Sequence, residues 1–331
     1  MSAFVERWWR GGGGVAGRAL DVALLPAELA FRMLSGARTH AYDRGTFPAV
    51  RATVPVVSVG NIAIGGAGKT PFAAWIAARL VSLGFAPAVL HGGYAADEPE
   101  LHRAWHPDIP VVVDRDRVRG ARRAITAGAS ALVLDDGFQH RRLARDVDLV
   151  LLAAETWTAA PRLLPRGPWR EPPMAMRRAH AIVITQRTPD ADVHSVTAAM
   201  RRVAADTPVV VAELRAARWR RGGGAEAQAP PGGAVAVSGI AHPDLFLASA
   251  RAAGAQVEDT LVFRDHHTYD AADARRIAAH AGGRPVVTTA KDWIKLRTLL
   301  DPARVWVLEQ EVHIAHGAET IDHLLGALAR L

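Results

Sequence analysis

The stretch Val56-Val57-Ser58-Val59-Gly60-Asn61-Ile62-Ala63-Ile64-Gly65-Gly66-Ala67-Gly68-Lys69-Thr70-Pro71 constrains the fold more than any other part of the chain. An apolar run, a glycine-rich turn and a helix-forming segment read as a buried strand feeding a phosphate cradle. Gly65, Gly66 and Gly68, with the small Ala67 between them, let backbone N–H groups turn onto phosphate oxygens, and the helix that follows presents its positive N-terminus. Lys69 is spaced to reach the β- and γ-phosphates and Thr70 to hold Mg²⁺. A nucleoside triphosphate is the implied ligand. Ala63 stands where the G-x-x-x-x-G-K-[ST] pattern has its first Gly, and the competing reading is a plain βα turn with a surface lysine.

A chain of 331 residues, 50% hydrophobic and 22% charged, is long enough for two domains with proper cores and is neither disordered nor fibrous in composition. The formal charge of +7 favours a polyanionic partner, whether nucleic acid, nucleotide phosphate or an anionic membrane surface. Nearly all the basic residues are Arg. Lys69, Lys291 and Lys295 are the lysines, and survivors of such a bias mark places where a planar guanidinium cannot replace a compact ammonium. The absence of cysteine excludes disulfide and thiolate chemistry and suits a reducing compartment.

Before the cradle, Leu20, Leu24, Ala27, Phe31 and Leu34 recur at helical spacing and predict an amphipathic helix from Arg18 through Arg38. Asp21, Pro26, Glu28 and Arg32 break any window long enough to span a bilayer. Two readings stand: the helix packs on its own domain, or it lies on a membrane with Trp8, Trp9 and the arginines at headgroup level. After the cradle, a strand over 86–90 opens into a loop bearing Asp97 and Glu98, at a strand's carboxyl end where doubly wound folds place their chemistry. The same two residues equally suit the first turn of a helix. Ala131-Leu132-Val133-Leu134-Asp135-Asp136 ends an apolar strand in tandem carboxylates, which suits a carboxylate meeting the Mg²⁺ at Thr70; a plain strand-end turn is the alternative. The basic, glycine- and proline-rich stretch 215–233 predicts a linker, dividing residues 1–44 and a phosphate-cradle domain at 45–214 from a smaller α/β domain at 234–331. Asp265-His266-His267 is too tightly spaced for a zinc shell, leaving a proton-handling histidine or a helix-capping turn.

With these segments in order, the sequence resembles the tetraacyldisaccharide 4′-kinases, the lipid A 4′-kinases of Gram-negative bacteria. The resemblance spans nearly the whole chain. It rests on Val59-Gly60-Asn61 through Pro71, Asp97-Glu98-Pro99, Asp135-Asp136-Gly137-Phe138-Gln139-His140-Arg141-Arg142, Leu164-Pro165 with Gly167-Pro168 and Arg170-Glu171-Pro172, Asp265-His266, and Lys291-Asp292 with Lys295-Leu296. It implies a P-loop, three-layer α/β/α domain with a second, smaller α/β domain, using ATP and Mg²⁺ to phosphorylate the 4′-hydroxyl of an acylated glucosamine disaccharide 1-phosphate. It further implies a monomer, peripheral on the cytoplasmic face of the inner membrane and in contact with its anionic surface. By the same resemblance Asp97 is the catalytic base and His266 the partner that adjusts it, while Lys69 serves the phosphates. Thr70, Asp135, Asp136 and Glu98 belong to the metal set, and Gly65, Gly66, Ala67, Gly68, Gln139, Arg117 and Arg170 to the nucleotide set. One departure stands out: the family's Ser-Arg-Gly-Tyr-Gly is here His91-Gly92-Gly93-Tyr94-Ala95, so an expected arginine is missing at Gly92. Either another arginine supplies that contact or the activity is altered.

A P-loop switch or membrane-associated assembly factor is the alternative function, but Asp97, Glu98 and the Asp265-His266 pair have no evident use in one. Specific nucleic-acid binding is not expected, because no recognition-helix or aromatic ribonucleoprotein signature accompanies the charge.

Overall fold

The computed structural model describes residues 3–9, 11–158, 161–222 and 224–330. Three helices come first, α1 (Ala3–Trp9), α2 (Gly14–Ala23) and α3 (Leu25–Asp43). The helix predicted over 18–38 is therefore interrupted at Leu24, which places Pro26 in the first turn of α3, where a missing N–H costs nothing.

From Val56 strands and helices alternate: β1 (Val56–Asn61), α4 (Lys69–Ser82), β2 (Pro87–His91), α5 (Asp97–Trp105), β3 (Val111–Val113), α6 (Arg117–Thr126), β4 (Ala131–Asp135), β5 (Val147–Ala153), β6 (Ala181–Gln186), α7 (Val193–Val203) and β7 (Val209–Arg221). A second run follows with β8 (Glu226–Ala227), β9 (Gly233–Ser238), α8 (Pro243–Ala252), β10 (Gln256–Val262), α9 (Ala271–Ala281), β11 (Val286–Thr289), α10 (Ala290–Leu296), β12 (Val305–His316) and α11 (Ala318–Ala327). All the strands join one sheet in the order β10-β9-β11-β12-β7-β6-β5-β1-β4-β2-β3, with β8 on β7. β5 and β6 bury both faces: Leu149, Leu151 and Val183 pack under α4 with Phe72, Ile76 and Leu80, while Val150, Ile182 and Ile184 pack under α7 with Val196 and Met200. Strands covered on both sides read as unbroken apolar runs, which is why they were visible in the sequence.

Neighbouring strands pair parallel except along β7, which is antiparallel to β12 and β8. Two parallel blocks thus run in opposite directions on either side of a β7–β12 ribbon. β6 borders β7 at Val209–Glu213, whereas β11 borders the start of β12, where Trp306–Leu308 lies opposite Trp219–Arg221. The blocks are offset along the ribbon. Their carboxyl ends consequently face each other across Leu214–Arg218, and two ligand-binding edges of the doubly wound kind enclose one cleft.

This geometry corrects the linker predicted over 215–233, because β7 runs on to Arg221 and Glu226–Ala227 forms β8. Arginine-rich composition hid the strand: Trp219 is buried, while Arg218 and Arg220 flank it in sequence and each reach Glu309 of β12 at 2.8 Å.

The N-terminal helices turn polar residues inward. Glu28 is buried, accepting the backbone N–H of Leu163 at 2.9 Å and pairing with Arg166 at 2.5 Å, and Asp21 pairs with Arg162. Val15, Val22, Leu25, Leu29, Met33 and Leu34 face solvent instead. Trp8, for which the membrane reading expected headgroup level, is buried against Gly13 and Gly17 with its indole N–H on Asp21, and Trp9 donates to the Pro165 carbonyl at 3.2 Å, as the packing reading expected. Both indoles find protein partners because neighbouring glycines and the 162–168 loop leave room for them.

Candidate active site

The cradle runs from the end of β1 to Lys69, the first residue of α4. Ala63 forms an antiparallel bridge with Trp169, an extended pairing open to any residue, so the pattern's first Gly is not needed there. Gly68 is needed: it sits at φ +76°, and a Cβ on it would lie 2.4 Å from Leu214 Cδ1. The loop is fixed from behind by Thr185, whose hydroxyl donates to the Ala67 carbonyl at 3.0 Å, and by Arg187, which donates to the Gly66 carbonyl. The loop is braced internally as well, with the Ala67 N–H on the Gly65 carbonyl at 2.9 Å and the Ile64 N–H on the Pro168 carbonyl at 2.7 Å.

Lys69 places its ammonium 3.6 Å from Asp136, which also receives Arg170 at 3.2 Å. Burial pushes the Asp136 carboxyl up, but Lys69 and Arg170 outweigh it and hold the group below the ordinary carboxylate range. Asp136 adopts φ +58°, a turn that separates its side chain from that of Asp135 despite their adjacency. Asp135, at the tip of β4, is fully buried; its Oδ2 receives His102 Nε2 at 2.9 Å and its Oδ1 has no hydrogen-bond partner. Thr70 is likewise buried. Among the described residues, the grouping with metal-ligand spacing is His91, Glu98 and Asp135, whose ligand atoms lie within 4.8 Å of one another. An orphaned, buried carboxylate oxygen beside a second carboxylate fits a hard divalent cation.

Asp97 and Glu98 begin α5, as the helix-terminus reading expects. Asp97 is buried at the meeting of the two blocks. His266 Nδ1 lies 3.4 Å from its Oδ1, while Lys295 and Lys291 lie 3.4 and 3.9 Å from its Oδ2. Burial pushes the Asp97 carboxyl up, but the hydrogen bond from His266 and the charges of Lys291 and Lys295 bring it far below the usual value. Lys291 also donates to His266 Nε2 at 3.2 Å, which leaves the ring proton on Nδ1, toward Asp97. Lys295 is steadied in turn by Asp292, 3.6 Å away and fully buried, which accepts the hydroxyls of Tyr269 and Thr289. His267 turns away to pair with Asp273 in the first turn of α9, whose cap is Asp270, while Asp265 stays beside His266 with Lys291 3.5 Å from its Oδ1.

The other sequence-predicted residues form the wall. Gln139 donates to the Asn61 carbonyl at 2.8 Å and to Glu171 at 3.0 Å, and accepts from Arg170 at 3.3 Å. Arg117 is buried, donating to the Asp114 carbonyl at 2.6 Å, with Nε and Nη2 unpaired. A Cβ at Gly92 would lie 2.6 Å from Arg117 Nη2 and 2.5 Å from the Tyr94 ring.

A family model described as tetraacyldisaccharide-1-P 4′-kinase matches residues 20–329. The chain belongs to this family. The tetraacyldisaccharide 4′-kinase of Anaeromyxobacter sp. (strain K) is 39% identical, covering 99% of this chain and 96% of its own length, and that of Aeromonas salmonicida (strain A449) is 36% identical over 93% of each. The crystal structure of the "apo" form of LpxK from Aquifex aeolicus in complex with ATP is similar at a TM-score of 0.74 and 26% identity, covering 93% of this chain and 99% of that one.

In this tetraacyldisaccharide 4′-kinase family member, several residues at the site carried no assigned role in the sequence reading: His91, His102, Arg187, Lys291, Asp292 and Lys295. Lysine scarcity was the available signal for two of them, since all three lysines of the chain surround Asp97 or Asp136. The histidines had none, because a lone His in an apolar helix or strand is indistinguishable from a core residue until its partner is known.

Proposed function

We propose that this chain transfers the γ-phosphate of ATP to the 4′-hydroxyl of a tetraacylated glucosamine disaccharide 1-phosphate. The observation that carries the reading is the convergence of Lys69 with Asp136 on one parallel block and of His266, Lys291 and Lys295 from the other on Asp97. Family membership supplies the acceptor.

The cradle N–H groups and Lys69 bind the triphosphate, and Thr70, Asp135, Asp136 and Glu98 are the residues to hold Mg²⁺. When bound, the cation neutralises charge on the transferring group. Asp97 accepts the acceptor hydroxyl's proton; its carboxyl is already ionised, and His266 Nδ1–H orients it from the facing block. Arg117 provides the guanidinium that the Gly92 departure removes, since the two side chains would compete for one space. Gln139 and Arg170 brace the cradle against Asp136 and contact the nucleotide from that side.

The acceptor is a lipid, and the exposed apolar stripe Val22, Leu25, Leu29 and Met33 on α2 and α3 suits a membrane surface. Among the described residues no helix is long and apolar enough to cross a membrane. We read the chain as a peripheral protein of the cytoplasmic face of the inner membrane, with residues 1–44 as the docking region. Arg38 on α3 donates to the Gln139 carbonyl at 2.8 Å, tying this region to the nucleotide wall.

The decisive experiment is transfer of labelled γ-phosphate from ATP to the disaccharide 1-phosphate in detergent. No lipid phosphorylation alongside active ATP hydrolysis would favour the switch reading. Leu29→Glu with Met33→Glu should lower liposome sedimentation while sparing activity in detergent; unchanged sedimentation would return the helices to a purely structural role.

A further inference from the structure

Two buried histidines flank the carboxylates of the cation set, and neither belongs to the machinery described so far. His91 at the end of β2 is 2% exposed; its Nδ1 accepts the Gly93 backbone N–H at 3.0 Å and its Nε2 lies 2.9 Å from Glu98 Oε2. His102 on α5, also 2% exposed, sets Nε2 2.9 Å from Oδ2 of Asp135, which is 1% exposed. The arrangement is the same twice: an imidazole Nε2–H on one oxygen of a carboxylate. For Asp135 the other oxygen is buried without a partner.

We infer that His91 and His102 are positioning residues: each ties up one oxygen of Glu98 or Asp135, aims the other at the cation, and keeps imidazole nitrogen out of the coordination shell. The inference rests on the reading of Glu98 and Asp135 as cation ligands. By spacing alone His91, Glu98 and Asp135 form a three-ligand group. The tautomer decides against His91 as a ligand, because a backbone N–H on Nδ1 requires that Nδ1 be the bare nitrogen and Nε2 the protonated one. Coordination through Nε2 would need the ring proton moved to Nδ1, against the Gly93 N–H. The site then offers carboxylate and hydroxyl oxygens only, which selects Mg²⁺ or Mn²⁺ over borderline ions that favour imidazole. Hydrogen-bond partners behind metal ligands commonly contribute tenfold to hundredfold in affinity.

The test uses the full chain with Mn²⁺ as probe, its free concentration read by electron paramagnetic resonance with a non-hydrolysable ATP analogue present. His102→Leu and His91→Leu should each weaken Mn²⁺ about tenfold to hundredfold with metal-free nucleotide affinity unchanged. His102→Gln and His91→Gln, which keep an N–H near Nε2, should stay within about threefold of wild type on the same grounds. Leucine variants that bind Mn²⁺ normally, or glutamine variants as weak as leucine ones, would overturn the inference. Asp135→Asn separates the two levels: normal Mn²⁺ binding in that variant would overturn the cation reading itself. Should a leucine variant fail to fold, nitrogen-15 spectra of the wild-type histidine rings decide, since a proton on His91 Nδ1 is incompatible with the proposed role.

Discussion

Lys295, on the last turn of α10, holds its ammonium 3.4 Å from Asp97, the first residue of α5, although the two helices belong to oppositely directed halves of the sheet. Its other carboxylate neighbour, Asp292, is fully buried. Lys295→Met should therefore leave two buried carboxylates short of positive charge and cost about 3 kcal/mol, read by urea unfolding at pH 7. The Asp97 carboxyl is held below its unfolded value, so its contribution is present above about pH 4 and lost as pH falls through the acid range. The variant should show a shallower loss of stability below pH 4 than wild type; parallel acid curves would remove Lys295 from this pair.

Asp97→Asn tests the proton acceptor. The amide keeps the size and loses the basicity, so kcat should drop by about 10²–10⁴ while ATP affinity changes little. Steady-state kinetics with varied ATP and lipid separate the parameters. An equal loss in nucleotide affinity would recast Asp97 as a nucleotide contact.

Gly68→Ala addresses the cradle. An alanine at φ +76° carries a backbone cost of roughly 1–2 kcal/mol, and its Cβ collides with Leu214 in the middle of β7. Adding Leu214→Ala removes the collision but not the backbone cost, so the double variant should lose about 1 kcal/mol less than the two single losses together. Strict additivity in denaturant titrations would show that the loop shifts away from Leu214 instead.

His140 follows the tandem aspartates and has its ring pushed down to about 4, first by burial and then by the nearby Arg117 charge. A histidine held neutral in the fold is protonated more readily when unfolded, so the protein should lose stability as pH falls from about 6.5 toward 4, by an amount on the order of 3 kcal/mol at most. His140→Asn should flatten that part of the melting-temperature profile. A wild-type profile in the variant would show that other groups set the acid limb.

Much of the site was legible because its residues are local to strand ends. The cradle, Asp135-Asp136 and Asp97-Glu98 each follow an apolar run that had to be a buried strand, and a doubly wound sheet puts such ends on one edge. The exceptions have particular causes. β7 was missed beyond Leu214 because its exposed arginines outnumber its inward residues. The outward apolar stripe on α3 was ambiguous, since periodicity reveals a stripe but not which side it faces.

The sequence by itself determined the triphosphate cradle, its acidic pair and the α/β order, because each rests on neighbours within a few residues. Only the tertiary structure decided that Asp97 meets Lys291 and Lys295, that Asp135 is held by His102, and that Arg117 fills the space beside Gly92. The meeting at Asp97 depends on the antiparallel β7–β12 ribbon, which reverses and offsets the second block so that both carboxyl edges face one cleft, whereas the His102 and Arg117 contacts depend on the parallel order β4-β2-β3 within the first block. Strand direction and register are set by pairing over long sequence separations, and no local pattern encodes them.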